Sequence, residues 1–513
     1  MTKFVSSLFL LSSLLFLPSA YGEKFSVLVF NVENLFDIDG IAMFDDYQME
    51  PGDPNKTPYS PTLLRKKLDF IVTTLLAVDE GKGPDIVLFQ EFERDRTPRS
   101  SIRDPLEFLE KWKRDTLDSM LANPNDWVTG LPTHAFLLKA LADSGLVYPY
   151  MALAEEDRLN EESKAHINAV FSRFPVVDIG TFPTQDAREV VVVELDVEGR
   201  SFTVINNHWK SGASRPDTEP SRVMNARTVR KVLDQILEED PRADVMVGGD
   251  LNSYYNQSLL FPGMRETGIN TILRSQGDEL AVARGERDMY NLWFELPISQ
   301  RFSEVWRDMK GTLMHIIIAP GLYDDRGIRY IDNSFERILI PEINLDEWGR
   351  PIRFRFEGGG MGGSDHLPIL ARFETVNGDG SKIMELSDPG REEEQPDRIL
   401  MVDYNIEAGG PMPKPFDSLL GLNSEQLDQL VGEFFEVKGE WTSWNPPTVS
   451  SGDLQWEFYS PSDTVWSRMG DVSLGDPVHF YAEFGKWSGE YQWIVRDPSW
   501  LMVGRRGLEP RTN

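Results

Sequence analysis

Between Glu23 and about Phe373 short apolar runs alternate with stretches whose apolar residues recur every three or four positions. Phe25 to Phe30 is a run of one buried strand and leads directly into Asn31-Val32-Glu33. Ser60 then has the character of a helix N-cap, with Pro61 at the first helical position, and Leu64, Leu68, Ile71 and Leu75 make one apolar stripe. Gly81-Lys82-Gly83-Pro84 ends that helix, and Ile86 to Phe89 is a second buried strand ending at Gln90-Glu91. The order repeats: Arg188 to Val197 and Ser201 to Asn206 predict a hairpin around Gly199 that delivers Asn207-His208. Val229, Leu233 and Ile236 mark the next helix, and Val245 to Val247 is a strand running into Gly248-Gly249-Asp250-Leu251-Asn252. Polar residues thus stand just beyond strand ends, where side chains converge at one edge of a sheet. The pattern predicts two stacked sheets flanked by helices.

Glu374 to Arg398 is rich in Gly, Asp, Glu, Ser and Pro, the composition of a solvated linker. Beyond it the rhythm changes to short β-like runs, Phe435 to Trp441, Leu454 to Tyr459, Val478 to Phe484 and Tyr491 to Val495, with seven of the chain's 13 tryptophans. That is enough aromatic surface for a separate small core. The last dozen residues carry no element pattern.

Composition changes this picture in three places. The N-terminus has one early cation, Lys3, then an apolar run from Leu8 to Leu17, Pro18 and Ala20-Tyr21-Gly22, the layout of a secretory leader cleaved before Glu23. A secreted or periplasmic destination follows as an expectation, with domains at 1–22 (leader), 23–375, 376–396 (linker), 397–503 and 504–513 (tail). The chain of 513 residues holds no cysteine, so neither a disulfide nor a lipid-bearing cysteine is available to it. Its formal charge of −31 repels a polyanion at long range, so a nucleic-acid substrate requires locally concentrated positive charge or a bound metal.

Each polar cluster is weak alone. Ser364-Asp365-His366-Leu367-Pro368 is the strongest, since an adjacent acid and histidine follow the glycine-bearing stretch Gly358 to Gly363. Together the clusters supply carboxylates, amides and imidazoles. Glu33, Glu91 and Asp365 suit a hard cation, Mg²⁺ or Mn²⁺, better than zinc. Phosphodiester cleavage needs an activated water, a clamp on the non-bridging oxygens and help for the leaving oxygen. Asp250 is the candidate base, Asn252 its amide partner, and His208 and His366 the donors to developing charge.

The series Asn31-Val-Glu33, Gln90-Glu91, Asn207-His208, Gly249-Asp250-Leu-Asn252 and Ser364-Asp365-His366, in this order over residues 25 to 373, resembles the endonuclease/exonuclease/phosphatase superfamily. Asn31 to Asp37 and Asn207 to Ser211 resemble its secreted bacterial members in particular. The resemblance implies a four-layered α/β sandwich holding one or two divalent metals. It places Asn31, Glu33, Glu91 and Asp365 on the metal side, Asp250 and Asn252 at the water, and His208 and His366 at the phosphate. Asn168, Arg173 and Lys210 are candidates to face substrate, with a structural role favoured for Arg173. The C-terminal segment resembles the last strands of an OB-fold barrel, in which Trp487, Tyr491 and Trp493 are read as core ahead of base-stacking residues.

One departure stands out. The family carries an acid in the strand before the final Asp-His, paired with the last histidine; here Met314 falls in its place, with Asp332 or Glu336 as the acid in an alternative alignment. The expected function is metal-dependent phosphodiester hydrolysis, with extracellular nucleic acid as substrate. Small phosphorylated substrates, as for a phosphatase or a sphingomyelinase-like phospholipase, are the alternative within the class. A catalytically weakened binding protein is the alternative outside it.

Overall fold

The computed structural model describes residues 22–40, 43–44, 47–48, 59–95, 102, 104–154, 165–355, 362–387, 395–408 and 410–503. The leader and the tail 504–513 lie outside the described residues, apart from Gly22. Two seven-stranded sheets pack face to face. In the first, the strands run in the order Arg326–Tyr330, Ile369–Asn377, Lys24–Leu35, Ile86–Glu93, His166–Ser172, Tyr150–Leu153, with Glu336–Arg337 paired beside Ile369. In the second the order is Ser275–Gln276, Met289–Asn291, Met314–Ile318, Val245–Asp250, Ser201–His208, Val190–Asp196, Val176–Phe182. Lys24–Leu35 and Ile86–Glu93 are parallel, as are Val245–Asp250 and Ser201–His208, so each pair ends at the same edge.

Alternation along each strand sets the layers. Met314, Ile316 and Ile318 join the core between the sheets, whereas Ile317 packs on the other face with Val229 and Leu233 of helix Glu219–Glu239. Met246 faces inward, Val245 and Val247 outward. Helix Pro61–Leu76 covers the first sheet: the Ser60 side chain accepts from Leu63 N at its start, and the stripe Leu64, Leu68, Ile71, Leu75 is buried. Helix, sheet, sheet, helix is the four-layered sandwich the motifs imply. Buried amides lock the sheets together, Gln90 Nε2 donating to Asn206 Oδ1 (2.7 Å) and Asn206 Nδ2 to the carbonyls of Phe89 (3.1 Å) and Ala169 (2.9 Å).

In the C-terminal region Phe434–Trp444, Pro447–Ser451, Leu454–Tyr459, Glu490–Ile494 and Pro477–Trp487 pair in that order, and the last pairs back with the first, closing a five-stranded barrel. The strand Pro447–Ser451 and the helix Asp463–Met469 have no counterpart in the sequence reading, because each is too short for a period to register. Trp441, Trp493 and Trp500 fill the barrel core. Tyr491 stacks on Phe484 at its margin, and Trp487, expected in the core, is 74% exposed because it sits at the tip of its hairpin. The described part of the expected linker is bound to the sandwich: Met384 N donates to Tyr323 O (2.9 Å), and Ser387 N and Oγ donate to Asp332 (2.7 Å each).

Candidate active site

The polar strand ends meet at one rim of the sandwich, and the backbone there is bent out of ordinary strand geometry. Glu33, Asn34, Glu91 and Asn252 all have positive φ, at 47°, 57°, 65° and 45°. Non-glycine residues pay for that conformation, and such strain gathers at functional sites. It also re-aims side chains. Gln90 points between the sheets, so in an unbroken strand Glu91 would point away from them; the irregularity between Phe89 and Phe92 turns it back to Asn31. Gly249, at φ 130°, has no room for a side chain: a Cβ there would lie 2.1 Å from Asn207 O.

At the centre, Asn31 Nδ2 donates to Glu91 Oε1 (3.1 Å) and across the sheets to Asp250 Oδ2 (3.0 Å). His208, paired in register with Asp250, holds its Nε2 3.7 Å from Asp250 Oδ2 and 3.9 Å from Glu91 Oε1. His366 Nε2 lies 3.6 Å from the same Asp250 oxygen and 3.7 Å from Asp365 Oδ1. Asn252 N donates to Asp250 Oδ1 (2.9 Å), and Asn252 Nδ2 to Trp209 O (3.2 Å). Ser364 Oγ donates to Asn31 O (2.7 Å) and accepts from His366 N (3.1 Å), fastening the Asp-His turn to the first sheet.

The expected metal-side group divides in two. Asn31 and Glu91 lie with Asp250 and the histidines, whereas Glu33 is engaged by Arg353, whose Nε and Nη2 donate at 3.0 and 2.9 Å, and by Phe354 N at 3.0 Å. Arg353 also reaches Asp365, at 3.4 Å. Glu33, Glu91 and Asp365 do not form a compact ligand cluster; among the described residues the acids whose ligand atoms lie within 4.8 Å of one another are Asp37, Asp39 and Glu93, and Glu279, Glu295 and Asp332.

Of the substrate-facing candidates, Asn168 is fully buried, donates to Glu189 O (2.8 Å) and leaves its Oδ1 without a hydrogen-bond partner. Lys210 follows the strand that carries His208, its backbone held by Asn225 and Arg222. Arg173 is not brought to the site: it pairs with Asp85 (2.9 Å) and the Gly83 carbonyl, at the opposite end of the strand from Glu91.

Met314 is fully buried beside Asp250 and offers His366 no acceptor; His366 Nδ1 is buried without a hydrogen bond. Neither alternative acid reaches His366, since Asp332 is bonded to Ser387 and Glu336 to Arg372. Glu304, absent from the sequence reading, does: its Oε2 is 3.9 Å from His366 Nε2, and the two residues are bridged through their backbones. The sequence reading also lacks Arg353 and Lys67. Lys67 is wholly buried and ties Glu33 O (2.6 Å) to Gly363 O.

The electrostatics follow from burial and crowding. Burial alone would lower His366, but Asp365, Asp250 and Glu304 outweigh it and raise it to about 9. His208 goes the other way, held well below its ordinary value by burial and then Arg188. Burial pushes Lys67 down to about 8 against the pull of Glu33 and Asp365. Glu33 is raised by burial and then Asp365, Asp250 by burial against His366, and Glu304 to about 8 by burial, with Asp365 and Asp250 adding to it. Glu91 alone is lowered: burial is outweighed by His166, His208 and Arg188. The two imidazoles are thus pushed in opposite directions within one crowded group of carboxylates.

The sequence model of the Endonuclease/Exonuclease/phosphatase family matches residues 170–375, so the family resemblance carried by the motifs is borne out there. That family comprises phosphoester hydrolases. No curated protein matches the chain at a significant level. Solved structures similar to it include truncated Caenorhabditis elegans TDP2 (15% identity, 68% of this chain and 98% of that one, TM-score 0.37). An endonuclease/exonuclease/phosphatase from Beutenbergia cavernae is another (16%, 69% and 72%, TM-score 0.38). Sphingomyelinase C from Streptomyces griseocarneus is a third (16%, 69% and 100%, TM-score 0.35).

Proposed function

We propose that the protein is an exported, divalent-metal-dependent phosphodiester hydrolase acting on nucleic acid. The observation that carries this reading is the convergence of His208 and His366 on one oxygen of Asp250, at 3.7 and 3.6 Å. A buried carboxylate with a raised pKa is a base tuned toward neutral pH, and Asp250 takes the proton of the attacking water in this reading. Asn252 spends its Nδ2 on Trp209 O, leaving Oδ1 to accept from that water. His366, kept charged, donates to the developing negative charge, and neutral His208 contributes an N–H beside it. Asn168 and Lys210 are assigned to the approach of the substrate.

The donor set fits a hard cation. Glu33, Glu91, Asp250, Glu304 and Asp365 bring five carboxylates to a site whose cationic side chains are Lys67, Arg188 and Arg353, and burial, with neighbouring carboxylates adding to it, raises Glu33, Asp250 and Glu304. Asn31, Glu33, Glu91 and Asp365 are the residues proposed to hold Mg²⁺ or Mn²⁺. When bound, the cation would polarise the phosphoryl oxygens.

A small phosphorylated substrate is the second reading, favoured by the net charge of −31, which opposes a long polyanion. For the barrel, the closed five-strand order supports the OB-fold reading. Export rests on the N-terminal leader. Among the described residues no helix is long and apolar enough to cross a membrane. The deciding experiment incubates purified protein with plasmid DNA, RNA, sphingomyelin and inositol phosphates, with Mg²⁺ or Mn²⁺ and with excess chelator. Chelator-sensitive cleavage of a nucleic acid is expected; undiminished turnover in chelator would refute the metal mechanism. Mass spectrometry of the exported protein would show a chain beginning at Glu23.

A further inference from the structure

Glu304 belongs to no motif, yet it lies against His366 where the strand that normally supplies an acid carries Met314. Its hairpin, Glu304–Trp306 with Met309–Gly311, takes a third strand, Leu400–Met401, from the segment leading into the barrel. The backbone on either side of Glu304 is tied to the two partners at once. Toward the site, Leu367 N donates to Ser303 O (2.6 Å) and Met314 N to Ser303 Oγ (3.1 Å). Toward the barrel, Val305 packs on its core, Val402 N donates to Asp308 O (2.8 Å), and Asp308 accepts from Arg496 (3.1 Å) and Tyr404 (2.6 Å).

The geometry points to Glu304 as a positioning residue for His366, bridged to it through the backbone and held in place by the C-terminal barrel. The backbone bridge sets where the two residues stand, and the Glu304 carboxyl, 3.9 Å from Nε2, limits how the His366 ring can turn. Gly311 leaves the space that the Glu304 carboxyl occupies, since a Cβ there would meet its Oε1 at 2.8 Å. Asp250 and Asp365 also approach His366 Nε2, but Asp250 is bonded to Asn31 and Asn252, and Asp365 lies against Arg353. Glu304 is the acid whose placement is set from outside the sandwich. The barrel in this view acts on catalysis from within the chain, whatever else it binds.

The inference rests on the proposed hydrolase activity, and its test separates the two. In the full chain, Glu304→Gln keeps the shape and replaces the carboxyl with an amide. With bis(4-nitrophenyl) phosphate as probe, kcat is expected to fall by about tenfold or more while KM and the melting temperature hold, and Glu304→Asp to recover part of the loss. Asp308→Ala, remote from the reacting atoms, is expected to reproduce the fall in kcat at unchanged KM. Wild-type kcat in Glu304→Gln, or a loss confined to KM, would overturn the proposal. If the wild type cleaves no phosphodiester, or Asp250→Asn matches it, the hydrolase reading has failed instead. Crystal structures then decide the positioning role by themselves: a His366 ring that keeps its orientation in Glu304→Ala overturns it, and a displaced ring supports it.

Discussion

In the barrel, Glu483 is gripped by Arg350 (3.0 Å) and Arg496 (2.8 Å), and Arg496 passes on to Asp308, so the buried charges alternate in sign. Burial would raise Glu483, but the two guanidiniums lower it to about 2. At the rim of the sandwich the balance is reversed: Glu33, Asp250 and Glu304 are all raised, with neighbouring carboxylates as part of the cause. Backbone strain divides the same way. Four rim residues hold positive φ, whereas in the described part of the barrel Ser488, in a hairpin turn, is the non-glycine residue that does so. At the seam between barrel and sandwich each buried charge meets a partner from the other side; a rim built to bind leaves an excess for something from outside to neutralise.

This contrast can be broken or sharpened by experiment. The largest effect is expected from Asp250→Asn, which keeps the shape of the rim and removes its base: kcat should fall by roughly 10²–10⁴-fold with the melting temperature unchanged. A loss below about tenfold, or ~1.4 kcal/mol of barrier, would show that another group activates the water. Arg496→Met should act on stability, since removing one partner of a buried ion pair costs about 3–5 kcal/mol. Urea unfolding measures this, and an unchanged midpoint would mean that the barrel does not depend on its charge pairing.

The acid limb of stability is a milder probe of the same network. Because Glu483 is lowered in the folded protein, its contribution is complete above its ordinary 4.5 and is lost as pH falls toward about 2. Glu483→Gln should therefore flatten the dependence of melting temperature on pH across that window; parallel curves for the two proteins would count against it. Smallest of all is the expected effect of Arg353→Gln, which removes one cation from Glu33 and Asp365. Mn²⁺ affinity by isothermal titration calorimetry should rise severalfold, and a decrease would show that Arg353 helps to build the metal side of the site.

Much of the rim was legible because a strand that ends in an amide and an acid announces itself by the change from apolar to polar. Asn31, Glu91, His208 and Asp250 all stand at such ends, and the structure brings them together. Lys67 left a signal that the apolar stripe overshadowed: it lies three positions after Leu64 and four before Ile71, so a helical period puts it on the buried face. Glu304 and Arg353 left none. Each lies in an irregular stretch where no period governs which way a side chain points. Arg173 has the structural role favoured for it, since it follows the strand of Asn168 at the end away from the rim and pairs with Asp85.

By itself the sequence determined the strands and helices that carry the site, which faces of them are apolar, and where the chain carries amides, acids and imidazoles, because these are local consequences of period and residue type. Only the tertiary structure decided which acid stands beside His366. That choice depends on a hairpin held from far along the chain, by Leu400–Met401 and by Arg496 of the barrel, and no local rule connects them. It also decided that Glu33 and Asp365 face Arg353 while Glu91 faces Asn31, since positive φ at Glu33 and Glu91 turns side chains in ways that strand alternation does not foresee.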